Sequence, residues 1–173
     1  YGRSRGLGDV YKRQVPKENL LGEEGKALNT ISEVIDLATL AISAEAVGIM
    51  QKMNELTLDY TKTREQFGQA LSKFQALQHR MVDTFMVHEQ TKSLLLMAAA
   101  KMNDKAADTS KSISALKYQI GSAAKLIGEE SIQLHGGMGV TEEMSIGHYF
   151  KRLTTIRTIF GNSDYHLKRY SSL

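Results

Sequence analysis

The chain has 173 residues, 42% of them hydrophobic, with one proline, no cysteine and a formal net charge of +3. That is room for one domain with a core needing no staples, and it excludes a disulfide framework, thiolate metal sites and a cysteine nucleophile. The excess charge lies in residues 1–14, where Arg3, Arg5, Lys12 and Arg13 face one acid, Asp9, while the rest of the chain is balanced, so a nucleic-acid footprint spread over the domain is not expected.

Residues 1–14 have neither helical nor strand period and read as an unstructured extension outside the domain, with a basic arm for nucleic acid as the sharper alternative. No apolar stretch follows them as a signal peptide would need. The longest uncharged apolar run, Leu94 to Ala100, is far short of the roughly 20 residues of a membrane span; the expected location is cytoplasmic. From Val15 the domain opens with an extended connector that turns at Gly22 and Gly25. Ile31, Ile35, Ala38, Ile42 and Ile49 then recur near every fourth residue and lead into Met53, Leu56 and Tyr60, which predicts a helix from about Ala27 to Thr63. Ser72-Lys73-Phe74-Gln75 has the form of a capping box. The second helix it opens runs to about Lys105, with Leu77, Met81, Phe85, Leu95, Ala98 and Met102 inward. A short polar link, Asp104 to Ser112, favours antiparallel neighbours. The third helix carries Ile113, Leu116, Ile120, Ala124, Ile127 and Ile132 and stops at Gly136-Gly137. A shorter helix around Glu142 to Ile159, broken at Gly147, and a last one capped by Asn162 or Ser163 complete the chain. With no strand alternation anywhere, the fold class is all-α: an antiparallel bundle of three long and two short helices over 15–173.

His79, His88, His135, His148 and His166 form no HxxxH or HExxH pair, so no metal site is expected. The methionines at helical spacing are core filler before they are a cofactor box. Two segments stand apart. In TREQFGQALSKFQALQHR a glycine interrupts two long helices beside Arg64, Gln66, Gln75 and Gln78; in QLHGGMGVTEE a helix ends in closely spaced glycines that let backbone approach a ligand. Arginine and exposed backbone N–H groups are what a pyrophosphate requires. Taken alone, both segments are also what helix–helix corners look like.

At these residues the sequence resembles the C-terminal helical domain of the acyl-CoA dehydrogenase family of flavoproteins. The resemblance runs from about Val15 to Leu173 and rests on Tyr60-x-x-x-Arg64-x-Gln66-Phe67-Gly68, Phe74-Gln75-x-x-Gln78, Gln133-Leu134-His135-Gly136-Gly137-x-Gly139, and Glu142 or Glu143 shortly after. It implies an FAD cofactor held across a subunit interface, an acyl-CoA substrate, and homologous subunits in a homo- or hetero-oligomer of tetramer type. Arg64 would sit on the FAD pyrophosphate of a neighbouring subunit, Phe67 would pack on the cofactor and Gln75 would hydrogen-bond to it. Gln133, Gly136 and Gly137 would approach the adenosine diphosphate portion, and Asn162, Ser163 and Asp164 match a further FAD-contacting stretch. The family's preceding helical and β domains are absent, so the chain looks like the last part of a longer protein.

The family reaction removes a proton beside the thioester carbonyl, so a base must stand within reach. The position where most members carry a glutamate falls on Phe160, and the alternative position on the first long helix falls on Ala38. Asp36 is two residues from Ala38, roughly 200° around the helix. With both candidate glutamates lost and the FAD-contacting residues kept, the resemblance points to a non-catalytic, FAD-binding subunit of a heteromeric acyl-CoA dehydrogenase. The alternatives are an active homo-oligomer with a displaced base, Asp164 being the nearest acid, or a helical scaffold without flavin.

Overall fold

The computed structural model describes residues 14–173, so the expectation for the extension at 1–14 lies almost wholly outside it. The described residues fall into two units, 14–34 and Ile35–Leu173. In the first, a single 3₁₀ turn at Lys17–Asn19 follows Pro16. Gly22 and Gly25 both take positive φ, as the expected turns require.

Helix α1 spans Leu28–Thr63. It is followed by a hairpin, β1 Glu65–Gln66 and β2 Gln69–Ala70, paired antiparallel with Glu65 opposite Ala70 and Gln66 opposite Gln69. The sequence reading contained no strand, because two residues per strand are too few to display alternation. What makes the hairpin is its turn: Phe67 and Gly68 both have positive φ, 55° and 80°, the pattern of the two-residue loop that matches strand twist. Helix α2 spans Gln75–Asn103, α3 Thr109–His135, α4 Ser145–Ile156 and α5 Ser163–Ser172. A 3₁₀ stretch, Gly136–Val140, joins α3 to α4.

Long-range pairs fix the directions. Asn54 Nδ2 donates to the Thr84 carbonyl and Thr61 Oγ1 lies on Met81 Sδ, so α1 and α2 run antiparallel. Arg80 meets Glu130 and Thr109 meets Lys101, which makes α2 and α3 antiparallel as well. Asp36 meets Ser110 and Tyr60 meets His135, so α1 and α3 are parallel. The core gathers Ala46, Met50 and Met53 of α1, Ala98 of α2, Ile113, Leu116, Ile120 and Ile127 of α3, and Ile146, Leu153 and Ile156 of α4. Helix α3 is central, packed by α2, α4 and α5. Two of its glycines allow the close approach. A Cβ on Gly128 would stand 2.9 Å from the Phe150 ring, and one on Gly121 would overlap the Ser163 side chain. A glycine in a helix interior costs roughly 1 kcal/mol in propensity, which the tighter packing offsets.

Several expectations shift in detail. The capping box does not form: α2 begins at Gln75 without a side-chain cap, Leu71–Lys73 make a 3₁₀ turn, and Gln78 Nε2 reaches back 2.8 Å to the Ser72 carbonyl instead. Phe85 is 58% exposed, because the buried stripe of α2 runs through the small and polar Thr84, His88, Thr91 and Ala98. Ile35 is exposed while the neighbouring Asp36 is buried. Helix α4 passes through Gly147 unbroken, with Gly147 facing the carbonyls of Gly139 and Thr141. The last helix is capped by Asn162, whose side chain accepts from the Tyr165 amide at 2.9 Å.

Candidate functional site

The two sequence segments that stood apart come together. The C-terminal end of α1, the hairpin, the first turns of α2 and the end of α3 enclose a cleft of about 500 Å³. Its wall includes Tyr60, Arg64, Gln66, Arg80, Gln133, His135, Gly136 and Gly137. Arg64 is placed by backbone at both ends: its amide donates to the Tyr60 carbonyl as α1 ends, and its carbonyl accepts from Leu71 across the hairpin at 2.9 Å. Arg80 is matched by Glu130 at 2.5 Å. Arg64 has no acidic partner among the described residues, so it is the cation on this wall left to face a ligand.

The opposite wall depends on how α3 stops. Gly136 has φ +59° and its amide returns to the Gln133 carbonyl. A side chain there would be strained, whereas at Gly137 a Cβ would meet nothing within 4 Å. Both glycines are exposed, so backbone rather than side chain borders the cleft. Behind them His135 is buried and stacked on Tyr60, ring centroids 4.4 Å apart. Its Nδ1 donates to the Ser131 carbonyl at 2.8 Å, which leaves Nε2 bare, buried and without a partner. Burial pulls the His135 pKa below its ordinary value and the Ser131 bond opposes that. One guanidinium, the side-chain amides of Gln66 and Gln133 and open glycine backbone make a donor set suited to a diphosphate.

The other residues singled out from the sequence do not line this cleft. Phe67 is 91% exposed at the hairpin tip, edge-on to Phe74. Gln75 opens α2 and is exposed. Asn162 is engaged as the cap of α5, Ser163 packs under Gly121, and Asp164 is an exposed acid in the first turn of α5, where the helix dipole favours it.

The turn between α4 and α5 is a second organised region. Phe160, 42% exposed, has φ +57° and Gly161 has φ +104°. His166 Nε2 donates to the Phe160 carbonyl at 2.9 Å. Lys117 is 1% exposed, and its ammonium donates to the carbonyls of Ile156 at 2.9 Å, Gly161 at 3.0 Å and Arg157 at 3.4 Å. Burial draws the Lys117 pKa down to about 8. Nearby, Asp36 is 4% exposed and takes a two-pronged pair from Arg169 at 2.7 and 2.9 Å, plus the Ser110 hydroxyl at 2.6 Å. Sequence reasoning did not find Lys117 or the Asp36–Arg169 pair. The signal for Lys117 was present: a lysine inside the stripe Ile113, Leu116, Ile120, Ala124. Among the described residues no group of three His, Cys, Asp or Glu is placed to hold a metal ion, and no helix is long and apolar enough to cross a membrane.

Residues 25–171 match the family model described as acyl-CoA dehydrogenase, C-terminal domain. The rat mitochondrial short-chain specific acyl-CoA dehydrogenase is 32% identical over 145 residues, which cover 83% of this chain and 35% of that protein. Among solved structures, butyryl-CoA dehydrogenase from Megasphaera elsdenii superposes with a TM-score of 0.86 at 28% identity, covering 91% of this chain and 41% of that one. A variant of the Tcur3481-Tcur3483 steroid ACAD superposes at 0.80 with 29% identity, covering 86% of this chain and 40% of that one. The chain spans 35–41% of the length of the curated relatives it matches.

Proposed function

The chain belongs to the acyl-CoA dehydrogenase family, as its C-terminal domain, and from that premise we propose that it is the FAD-binding, non-catalytic part of a heteromeric acyl-CoA dehydrogenase. The observation that carries the reading is the cleft with Arg64, without an acidic partner among the described residues, on one wall and the Gly136-Gly137 backbone on the other. That donor set fits the diphosphate of FAD. Arg64 would take the phosphate oxygens, Gln133 and Gln66 would fix orientation, and the glycines would let the backbone close in. Phe67, Gln75 and the Asn162–Asp164 stretch lie away from that cleft, in keeping with a cofactor shared between subunits. When bound, FAD supplies the acceptor for a hydride from the acyl chain.

This chain's own residues offer no base at the two family positions. Phe160 has no proton acceptor on its side chain, and Ala38 has none either. Asp36, the acid nearest Ala38 in sequence, is committed to Arg169 and Ser110. A carboxylate whose oxygens are taken up by a bidentate guanidinium and a hydroxyl has little freedom to reach a substrate. The relative whose name joins two components supports looking for the base on a second polypeptide.

The test is anaerobic. The complete protein, with and without co-purifying chains, is mixed with a panel of acyl-CoA thioesters while the visible flavin absorbance is followed. The reading expects bleaching only with a second polypeptide present; bleaching by this protein alone would show that it carries its own base. Arg64→Ala should lower flavin occupancy, and unchanged occupancy would remove Arg64 from the cofactor site.

A further inference from the structure

We propose that Lys117 is a positioning residue: its buried ammonium gathers the carbonyls of Ile156, Arg157 and Gly161 and so fixes the turn that carries Phe160. A helix ends with carbonyls that have no partner inside it, and α4 ends at Ile156, with three residues between it and two consecutive residues of positive φ, Phe160 and Gly161. Backbone bonds close the turn, from the Thr158 amide to the Thr155 carbonyl at 3.1 Å and from the Gly161 amide to the Thr158 carbonyl at 3.3 Å, but Phe160 has no steric reason of its own to sit in the left-handed region. Two side chains brace it from the neighbouring helices. His166 Nε2 donates to the Phe160 carbonyl from α5, and Lys117 Nζ reaches three further carbonyls from α3.

The stoichiometry argues for a cation. An ammonium has three donors and no acceptor, and three carbonyl oxygens surround it. Lys117 makes no salt bridge to any described carboxylate. The charged and titratable groups around this region are His166, Tyr165, Arg169 and Asp36 on the neighbouring elements and Arg157 on the turn itself; the Asp36 charge is already matched by Arg169. Burying a lysine without a counter-ion disfavours the fold, whereas an apolar residue would fill the same stripe without that cost. The three carbonyls are the compensating gain, and all three belong to one turn.

The functional side of the proposal rests on the reading that this turn borders a flavin site. There Lys117 would set the direction of Phe160 and of the Asn162–Asp164 stretch without touching the cofactor. The test uses the complete flavin-loaded protein and its Lys117→Met variant, in which the stem is kept and the donors are lost. Hydrogen exchange is read on the peptide covering 157–162, with a peptide from the middle of α3 as the internal control, and the flavin band shift on adding an acyl-CoA thioester is recorded beside it. The expected result is at least tenfold faster exchange in the turn, less than twofold change in the control, unchanged flavin content and a weakened band shift. Native-like exchange in the turn, or a freed turn with a native band shift, overturns the proposal. Should Lys117→Met not fold, Lys117→Arg keeps the cation, and fast exchange confined to the turn in that variant overturns it equally. If native protein carries no flavin, the functional reading fails, while the exchange data still decide whether Lys117 holds the turn.

Discussion

Arg169→Met should cost the domain about 3 kcal/mol of stability. Asp36 is 4% exposed, and Arg169 supplies two of the three hydrogen bonds to its carboxylate, leaving only the Ser110 hydroxyl after substitution. Removing one partner of a buried ion pair typically costs about 3–5 kcal/mol, because an uncompensated charge stays behind. The lower end applies because the Arg169 side chain retains 21% exposure, which lets water reach the freed carboxylate. With a urea slope of about 2 kcal/mol per M, the midpoint should fall by about 1.5 M at unchanged slope. The double variant Asp36→Leu with Arg169→Met removes both charges and should recover most of the loss, since apolar replacement of a buried pair is often neutral. Far-UV circular dichroism of all four proteins in a urea series completes the cycle. A midpoint shift below about 0.3 M for Arg169→Met, or a double variant as unstable as the sum of its singles, would refute the claim that stranded charge is the cause.

Three other outcomes follow from the site. Lys117 titrates at about 8 when folded and at its ordinary 10.5 when unfolded; between these values the unfolded chain holds the extra proton, so stability should climb by about 3 kcal/mol as pH rises from 8 to 10.5. Lys117→Met should flatten that climb in urea melts at pH 7.5 and 10, and an identical slope in the variant would assign it to other groups. Because burial lowers the His135 pKa, His135 contributes stability that is lost as pH falls below about 6.5; His135→Phe keeps the Tyr60 stack, removes the unpartnered Nε2, and should raise the thermal midpoint at pH 5.5 more than at pH 8. Gly139→Ala would put a Cβ 2.7 Å from the Ile132 carbonyl and should cost about 1–3 kcal/mol, whereas Gly137→Ala, open on all sides, should stay within about 0.5 kcal/mol yet lower flavin occupancy in the complete protein; equal stability losses at the two glycines would contradict the geometry.

What was legible in the sequence was what a single helix decides for itself. The stop at Gly136 follows from a chain that takes positive φ just past the helix end, where glycine is unstrained, and the Asn162 cap follows from an oxygen placed three residues before an orphan amide. Phe85 misled because aromatic size outweighs position in a sequence reading, while in the fold Thr84 and His88 occupy the face toward the bundle. Gly147 misled because an isolated glycine lowers helix propensity by only about 1 kcal/mol, too little to break α4 where the Gly139 carbonyl lies close by. Asp36 and Arg169 are 133 positions apart, and no local pattern announces such a pair.

The cleft itself follows from matched stretches of α1 and α3. Helices α1 and α3 run parallel and touch at two levels, Asp36 with Ser110 at one end and Tyr60 with His135 at the other. The stretches between these levels differ by one residue, so at 1.5 Å per residue each rises about 36 Å and their ends arrive side by side. Beyond the upper level both helices stop within four residues, α1 at Thr63 and α3 at His135. Arg64 and Gly136, the first residues past those ends, are thereby delivered to the same cleft. A one-residue insertion in either helix between the two levels would turn everything after it by 100° and send Arg64 or the glycines away from each other. Two segments about seventy residues apart therefore form one site because the helical stretches that carry them, 36–60 and 110–135, are nearly equal in length and fixed in register at the far end.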